Sequence, residues 1–143
     1  MSKTIGIVGS RRRDSYEDFQ QVWEEFSGWY EEGDSICSGL CPKGADRFAV
    51  IIANRLDLLP SYRLWFPPDW KKYGKRVGFV RNTDIAKHSD ILIACVASDR
   101  TGGTEDTIKK WKGFHGTPEH LRILLPVKKE KLGLLSDLLE WDD

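Results

Sequence analysis

The chain of 143 residues is short of several things, and each shortage excludes something. It has three cysteines, Cys37, Cys41 and Cys95, an odd number that does not suit a disulfide framework. Cys37 and Cys95 fall inside strand patterns and read as reduced core thiols. The Cys37-x3-Cys41 spacing is not a redox CxxC, and His88, His115 and His120 are scattered, so no metal is expected. There is no charge excess: Lys+Arg and Asp+Glu both number 22. That balance makes nucleic acid an improbable partner, since a broad phosphate-binding surface needs basic residues in excess. No apolar run approaches the roughly 20 residues of a membrane span. The start enters a strand pattern at once rather than a leader pattern, so the expected location is cytoplasmic.

What is present is alternation. Ile5–Val8, Ser35–Ser38, Tyr62–Phe66, Asp90–Ala97 and Leu121–Val127 read as five strands. Between them lie helical patterns: Ser15 to about Glu32, Ala45 to Leu56, Lys71 or Gly74 to His88, and Thr104 to Trp111. Asp14 or Ser15 is expected to cap the first helix and Gly33 to stop it. A leucine-rich segment, Lys129–Trp141, reads as a closing helix that covers the sheet or pairs with a second copy. The alternation predicts one α/β domain over residues 1–143, a three-layer α/β/α Rossmann-like sandwich with a mainly parallel five-stranded sheet. Periodicity does not give strand order.

Three glycine-bearing turns each follow a strand pattern and precede a helical one. In a parallel sheet all three meet at the carboxyl edge, where helix N-termini offer free N–H groups to an anion. In the first, Gly9, Ser10 and Arg11 are candidates for a phosphate, while Arg12 and Arg13 are expected to be solvated. In the second, Ser38, Gly39 and Gly44 flank the loop, and Asp46 either accepts from a ribose hydroxyl or fixes the loop. In the third, Gly102 and Gly103 form a cradle, with Thr104 as N-cap or phosphate donor and Glu105 and Asp106 as first-turn acids. The loop is not a Walker A motif, and Gly6-x2-Gly9 is not GxGxxG.

The stretch from Asp69 to Asn82 adds a fourth element. Gly74 and Gly78 would share a helix face with Arg81 and Ile85. Two interior glycines cost about 1 kcal/mol each against alanine, which suggests a bare face kept for close approach. Arg81 would reach from that face to the crevice, with Asn82 bonding the ligand or the loop.

Taken in order, these residues resemble the SLOG superfamily of Rossmann-like proteins, within it the YspA-related branch. The resemblance runs from about Lys3 to Trp111. It is carried by Gly9-Ser10-Arg11, Ser38-Gly39 with Gly44-Ala45-Asp46, Asp69-Trp70, Tyr73-Gly74, Gly78, Arg81-Asn82, Asp90 and Gly103-Thr104. It implies a nucleotide or nucleotide-derived ligand at the glycine turns, no cofactor, and a homodimer as a family habit. Relatives include LOG-type enzymes that cleave the N-glycosidic bond of nucleoside monophosphates, DprA proteins, and sensor domains for NAD-derived signals. LOG enzymes carry a glutamate three residues after the threonine; this chain has Thr107 there, and no proline precedes the glycines. Two readings follow. One is nucleotide hydrolysis, with Glu105 first and Asp46 second as catalytic candidates. The other is a non-catalytic sensor or sequestering protein for an NAD- or ADP-ribose-derived nucleotide.

Overall fold

The computed structural model describes residues 2–69, 71 and 74–127. The closing helix expected over 129–141, and the positions of Trp70 and Tyr73, lie outside the described residues. The described strands are β1 (Thr4–Gly9), β2 (Ser35–Ser38), β3 (Arg63–Trp65), β4 (Ile91–Cys95) and β5 (Leu121–Leu124). The helices are α1 (Tyr16–Trp29), α2 (Ala45–Arg55), α3 (Val77–His88) and α4 (Gly103–Phe114). All strand pairs are parallel, in the order β3-β2-β1-β4-β5. This is the expected Rossmann-like α/β fold.

Each strand feeds both faces of the sheet, because side chains alternate along a strand. Ile5, Ile7, Ile36, Ile91 and Ile93 pack with Phe19, Val22 and Phe26 of α1 and with Phe48 and Ile52 of α2. Val8, Cys37, Leu92 and Ala94 pack with Ile85 of α3 and with Ile108 and Trp111 of α4. Both faces are therefore covered, which is why β4 is an unbroken apolar run. Gly6 belongs to this packing: a Cβ there would lie 2.0 Å from Ser89 Oγ. The Trp111 indole N–H is satisfied inside the core by the Ser89 carbonyl at 2.8 Å. Burial pushes the Cys37 and Cys95 thiols up to about 12, as suits reduced core cysteines.

Local chemistry sets the helix starts. Ser15 caps α1 in a reciprocal capping box with Asp18, the Ser15 hydroxyl accepting from the Asp18 N–H at 3.1 Å. The helix ends at Trp29, short of Gly33, which instead takes φ 98° in the turn before β2. In the third crossover, residues 74–76 form a 3-10 turn rather than the first turn of α3. Gly74 has φ 55°, and a Cβ at Gly74 or Gly78 would meet no atom of the described residues within 4 Å. Close packing by the sheet, one of the two expected uses of a bare face, is not seen at either glycine: Gly74 answers to backbone conformation, and no contact in the structure explains Gly78.

Arg13 corrects a second expectation. It is buried at 5% exposure rather than solvated. Its guanidinium donates to the carbonyls of Val96 at 2.8 Å and Leu124 at 2.9 Å, to Asp18 Oδ1 at 2.7 Å, and to Gln21 Oε1. It thereby ties the α1 start to the carboxyl ends of β4 and β5. A buried arginine is tolerated because its planar fork is so completely used.

Candidate functional site

Chain direction reverses between β1 and β4: the chain runs outward through β1, β2 and β3, then crosses to the other side of β1. The carboxyl ends of β1 and β4 therefore part, and ligands of open α/β sheets bind at such a point. A cavity of about 390 Å³ lies there. Its size falls within the ordinary range for small-molecule sites. The loop after β1 supplies Gly9, Ser10, Arg11 and Arg12; the loop after β4 supplies Thr101, Gly102, Gly103 and Thr104. Cys41 and Asp46 come from the second turn, and Arg81, Asn82 and Ile85 from α3.

Three expected residues support the lining without joining it, and a fourth lies apart from it. A Cβ at Gly39 would lie 2.8 Å from Arg81 Cδ and 3.1 Å from Asp46 Oδ2, so residue 39 must be small for Arg81 to lie across the loop. Gly44 has φ 79°, and a Cβ there would meet the Ser10 carbonyl oxygen at 2.5 Å, so it lets the first two turns touch. The Gly44 N–H also donates to Asp14 Oδ1 at 2.7 Å. Ser38 is buried, its Oγ 2.7 Å from the Ile7 carbonyl oxygen and 3.0 Å from Asp46 Oδ1. Glu105 lies away from the lining and takes Arg100 in a two-point pair, at 2.8 and 2.9 Å.

Asp46 holds the second loop. Its Oδ2 accepts the Cys41 N–H at 2.9 Å while Oδ1 faces Ser38. Burial pushes its carboxyl pKa upward; the Cys41 and Ser38 hydrogen bonds and the positive charges of Arg81 and Arg11 oppose that shift without cancelling it. Of the two roles expected for Asp46, loop anchoring is the one its contacts display.

The third turn differs in detail from expectation. Gly102, with φ 106°, takes the N-cap position of α4, and Thr104 sits in the first helical turn, 8% exposed. Asn82 bonds the loop: its Nδ2 donates to the Gly103 carbonyl at 3.3 Å and to Asp106 Oδ2 at 3.1 Å. Asp106 also pairs with Lys110 at 2.8 Å. Thr107 is buried in the lining, and its hydroxyl donates to the Gly103 carbonyl at 3.2 Å. Asp90 is structural, its Oδ2 accepting the Thr4 N–H at 2.8 Å at the opposite edge of the sheet.

The electrostatics are one-sided. Arg11, Arg12 and Arg81 all line the cavity, against Asp46 as the one carboxylate among the described lining residues. Arg12 is paired with Asp99, at 2.8 and 2.7 Å. That hydrogen bonding, with a further bond from Thr101, holds the Asp99 carboxyl well below the usual carboxylate range. Arg11 and Arg81 make no ion pair with any described residue. Sequence reasoning did not single out Arg12, Cys41, Thr101 or Thr107 for the site. A lone threonine or cysteine gives no signal, whether in a loop or in a helix, and Arg12 is indistinguishable in sequence from its neighbours.

Among the described residues, no group of three or more His, Cys, Asp or Glu side chains could hold a metal ion, and no helix is long and apolar enough to cross a membrane. Comparison of the chain with family models, with curated proteins and with solved structures returns no match.

Proposed function

We propose that this protein binds a phosphorylated, nucleotide-derived ligand in the cavity between the ends of β1 and β4, and that it holds the ligand without cleaving it. One observation carries the reading: Arg11 and Arg81 line the cavity with no ion-pair partner among the described residues. Arg81 is half-buried, and arginine is seldom kept so without an anion; Arg11, exposed on the lining, adds a second guanidinium, and a phosphate matches the fork of donors of each. The Gly102-Gly103 start of α4 adds backbone donors and the positive end of the helix dipole. Val8 and Ile85 offer apolar surface for the rest of the ligand.

Retention of the intact ligand is favoured by the acids. Asp46 has both oxygens engaged within the chain, and Glu105 is turned to Arg100 outside the lining. Glycoside cleavage needs a carboxylate near the reacting sugar carbon. One observation supports the alternative, N-glycosidic hydrolysis of a nucleoside 5′-phosphate. Burial raises the pKa of Asp46 at the cavity wall, as suits a general acid.

Proton NMR distinguishes the two. The chain is incubated for hours with nucleoside monophosphates, ADP-ribose and NAD. Broadening of ligand signals with no new species is expected. Release of free base with a sugar-phosphate anomeric signal would establish hydrolysis instead. Sharp, unchanged signals from every compound would refute nucleotide binding.

A further inference from the structure

Given the cavity as a phosphate site, Arg12 stands apart from Arg11 and Arg81, because it already holds an anion belonging to the protein. Its Nη1 and Nη2 donate to the two oxygens of Asp99 at 2.8 and 2.7 Å, and Nη2 also reaches Thr101 Oγ1 at 3.1 Å. Thr101 in turn donates to Asp99 Oδ1 from its hydroxyl at 2.8 Å and from its N–H at 3.2 Å. Arg12 belongs to the loop after β1, while Asp99 and Thr101 belong to the loop after β4. The pair therefore bridges the two loops between which the cavity opens. It is solvent-exposed, at 56% and 51% for the two side chains. Exposed pairs hold weakly, so this bridge is open to exchange.

A phosphate presents the same two-point geometry to guanidinium as a carboxylate, with more charge. Arg11 and Arg81 suffice for one phosphate group. A second phosphate joined to the first finds no other unpaired guanidinium nearby: Arg13 is buried in its own network, and Arg100 is held by Glu105 outside the lining. Arg12 is the remaining cation among the described lining residues, and its two-point face is open to a phosphate only when Asp99 leaves it.

We propose that Asp99 is a built-in competitor for Arg12, and that a ligand with two linked phosphates opens this clasp by taking the guanidinium, whereas a single phosphate leaves it shut. Arg12 and Asp99 are then the residues that set selectivity for a diphosphate over a monophosphate. The inference rests on the phosphate-site reading and specifies its ligand class.

The test is calorimetric titration of the full chain with AMP, ADP and inorganic pyrophosphate, in the wild type and in three variants. These are Asp99→Asn, Arg12→Gln and the double substitution; both positions are exposed, where substitution seldom disturbs folding. Asp99→Asn should tighten ADP and pyrophosphate about threefold to fivefold, the upper range for an exposed pair, and leave AMP unchanged. Arg12→Gln should abolish the preference for ADP over AMP. In the Arg12→Gln background, Asp99→Asn should have no effect. A gain from Asp99→Asn that persists without Arg12 would be a plain charge effect and would overturn the clasp. So would binding in which AMP and ADP respond alike in every variant, with the phosphate-site reading left standing. No binding of any of the three compounds to any form would overturn that reading and the clasp together.

Discussion

Arg81 lies where it does because residue 39 has no side chain. The Arg81 Cδ and Nε would be 2.8 and 3.1 Å from a Cβ at Gly39, and Asp46 Oδ2 would be 3.1 Å away. The crowded neighbour is the flexible part of an arginine, so the fold can absorb a methyl group while the guanidinium cannot keep its position. Gly39→Ala is therefore expected to weaken phosphate-ligand binding about tenfold, as for loss of one charge-assisted hydrogen bond, with little change in urea stability. Titration and denaturation of the same sample check both halves. Single residues were legible in the sequence where their chemistry is local. Gly102 and Gly44 announce turns, and Arg81 is conspicuous in a helix beside glycines. The three consecutive arginines were not separable, because what distinguishes them is tertiary. Arg11 faces the cavity, Arg12 meets an aspartate 87 positions away, and Arg13 meets carbonyls from strands 83 and 111 positions away.

Elements are joined at the site by Arg13. Without its side chain, the Val96 and Leu124 carbonyls and the Asp18 carboxylate lose their donor in a buried setting. Arg13→Ala should destabilise the fold by about 3 kcal/mol, the cost of leaving one member of a buried charged network alone. Urea denaturation measures the loss, and Arg12→Ala in parallel should cost less than about 1 kcal/mol because its pair is exposed. The elements themselves were legible because both periods are strong: apolar runs for strands covered on two faces, and i, i+3, i+4 stripes for α1 and α2. Boundaries drifted where tertiary contacts decide them. Gly33 looked like a helix stop, yet α1 ends at Trp29, and the glycine-rich start of α3 is a 3-10 turn rather than the first helical turn.

At the scale of the whole molecule, stability carries a trace of the buried acid at the site. Burial raises the Asp46 pKa above its ordinary 3.8, so the native state binds that proton more tightly than the unfolded chain does. The buried carboxylate then costs stability above its native pKa. That cost is relieved as pH falls through the native value toward 3.8. Measured against Asp46→Asn, which lacks the titration, the wild type should gain relative stability as pH is lowered from neutral to about 4. Urea midpoints across that range test the sign. Strand order was not legible at this scale, since periodicity reports which face a residue takes and not which strand lies beside it. The site could be assembled from sequence only as turns sharing one edge; the crevice between them needed the order β3-β2-β1-β4-β5.

That order has a consequence in time. The first strand pairs with Ser35, Ile36 and Cys37 on one side, but on the other it must wait for Ile91–Cys95. On a ribosome, the first three strands emerge while the innermost strand still lacks its partner on one side. Vectorial synthesis thus leaves the future centre of the molecule unpaired until more than half of the chain has been made. The crevice exists only after the fourth strand docks and turns an edge into an interior.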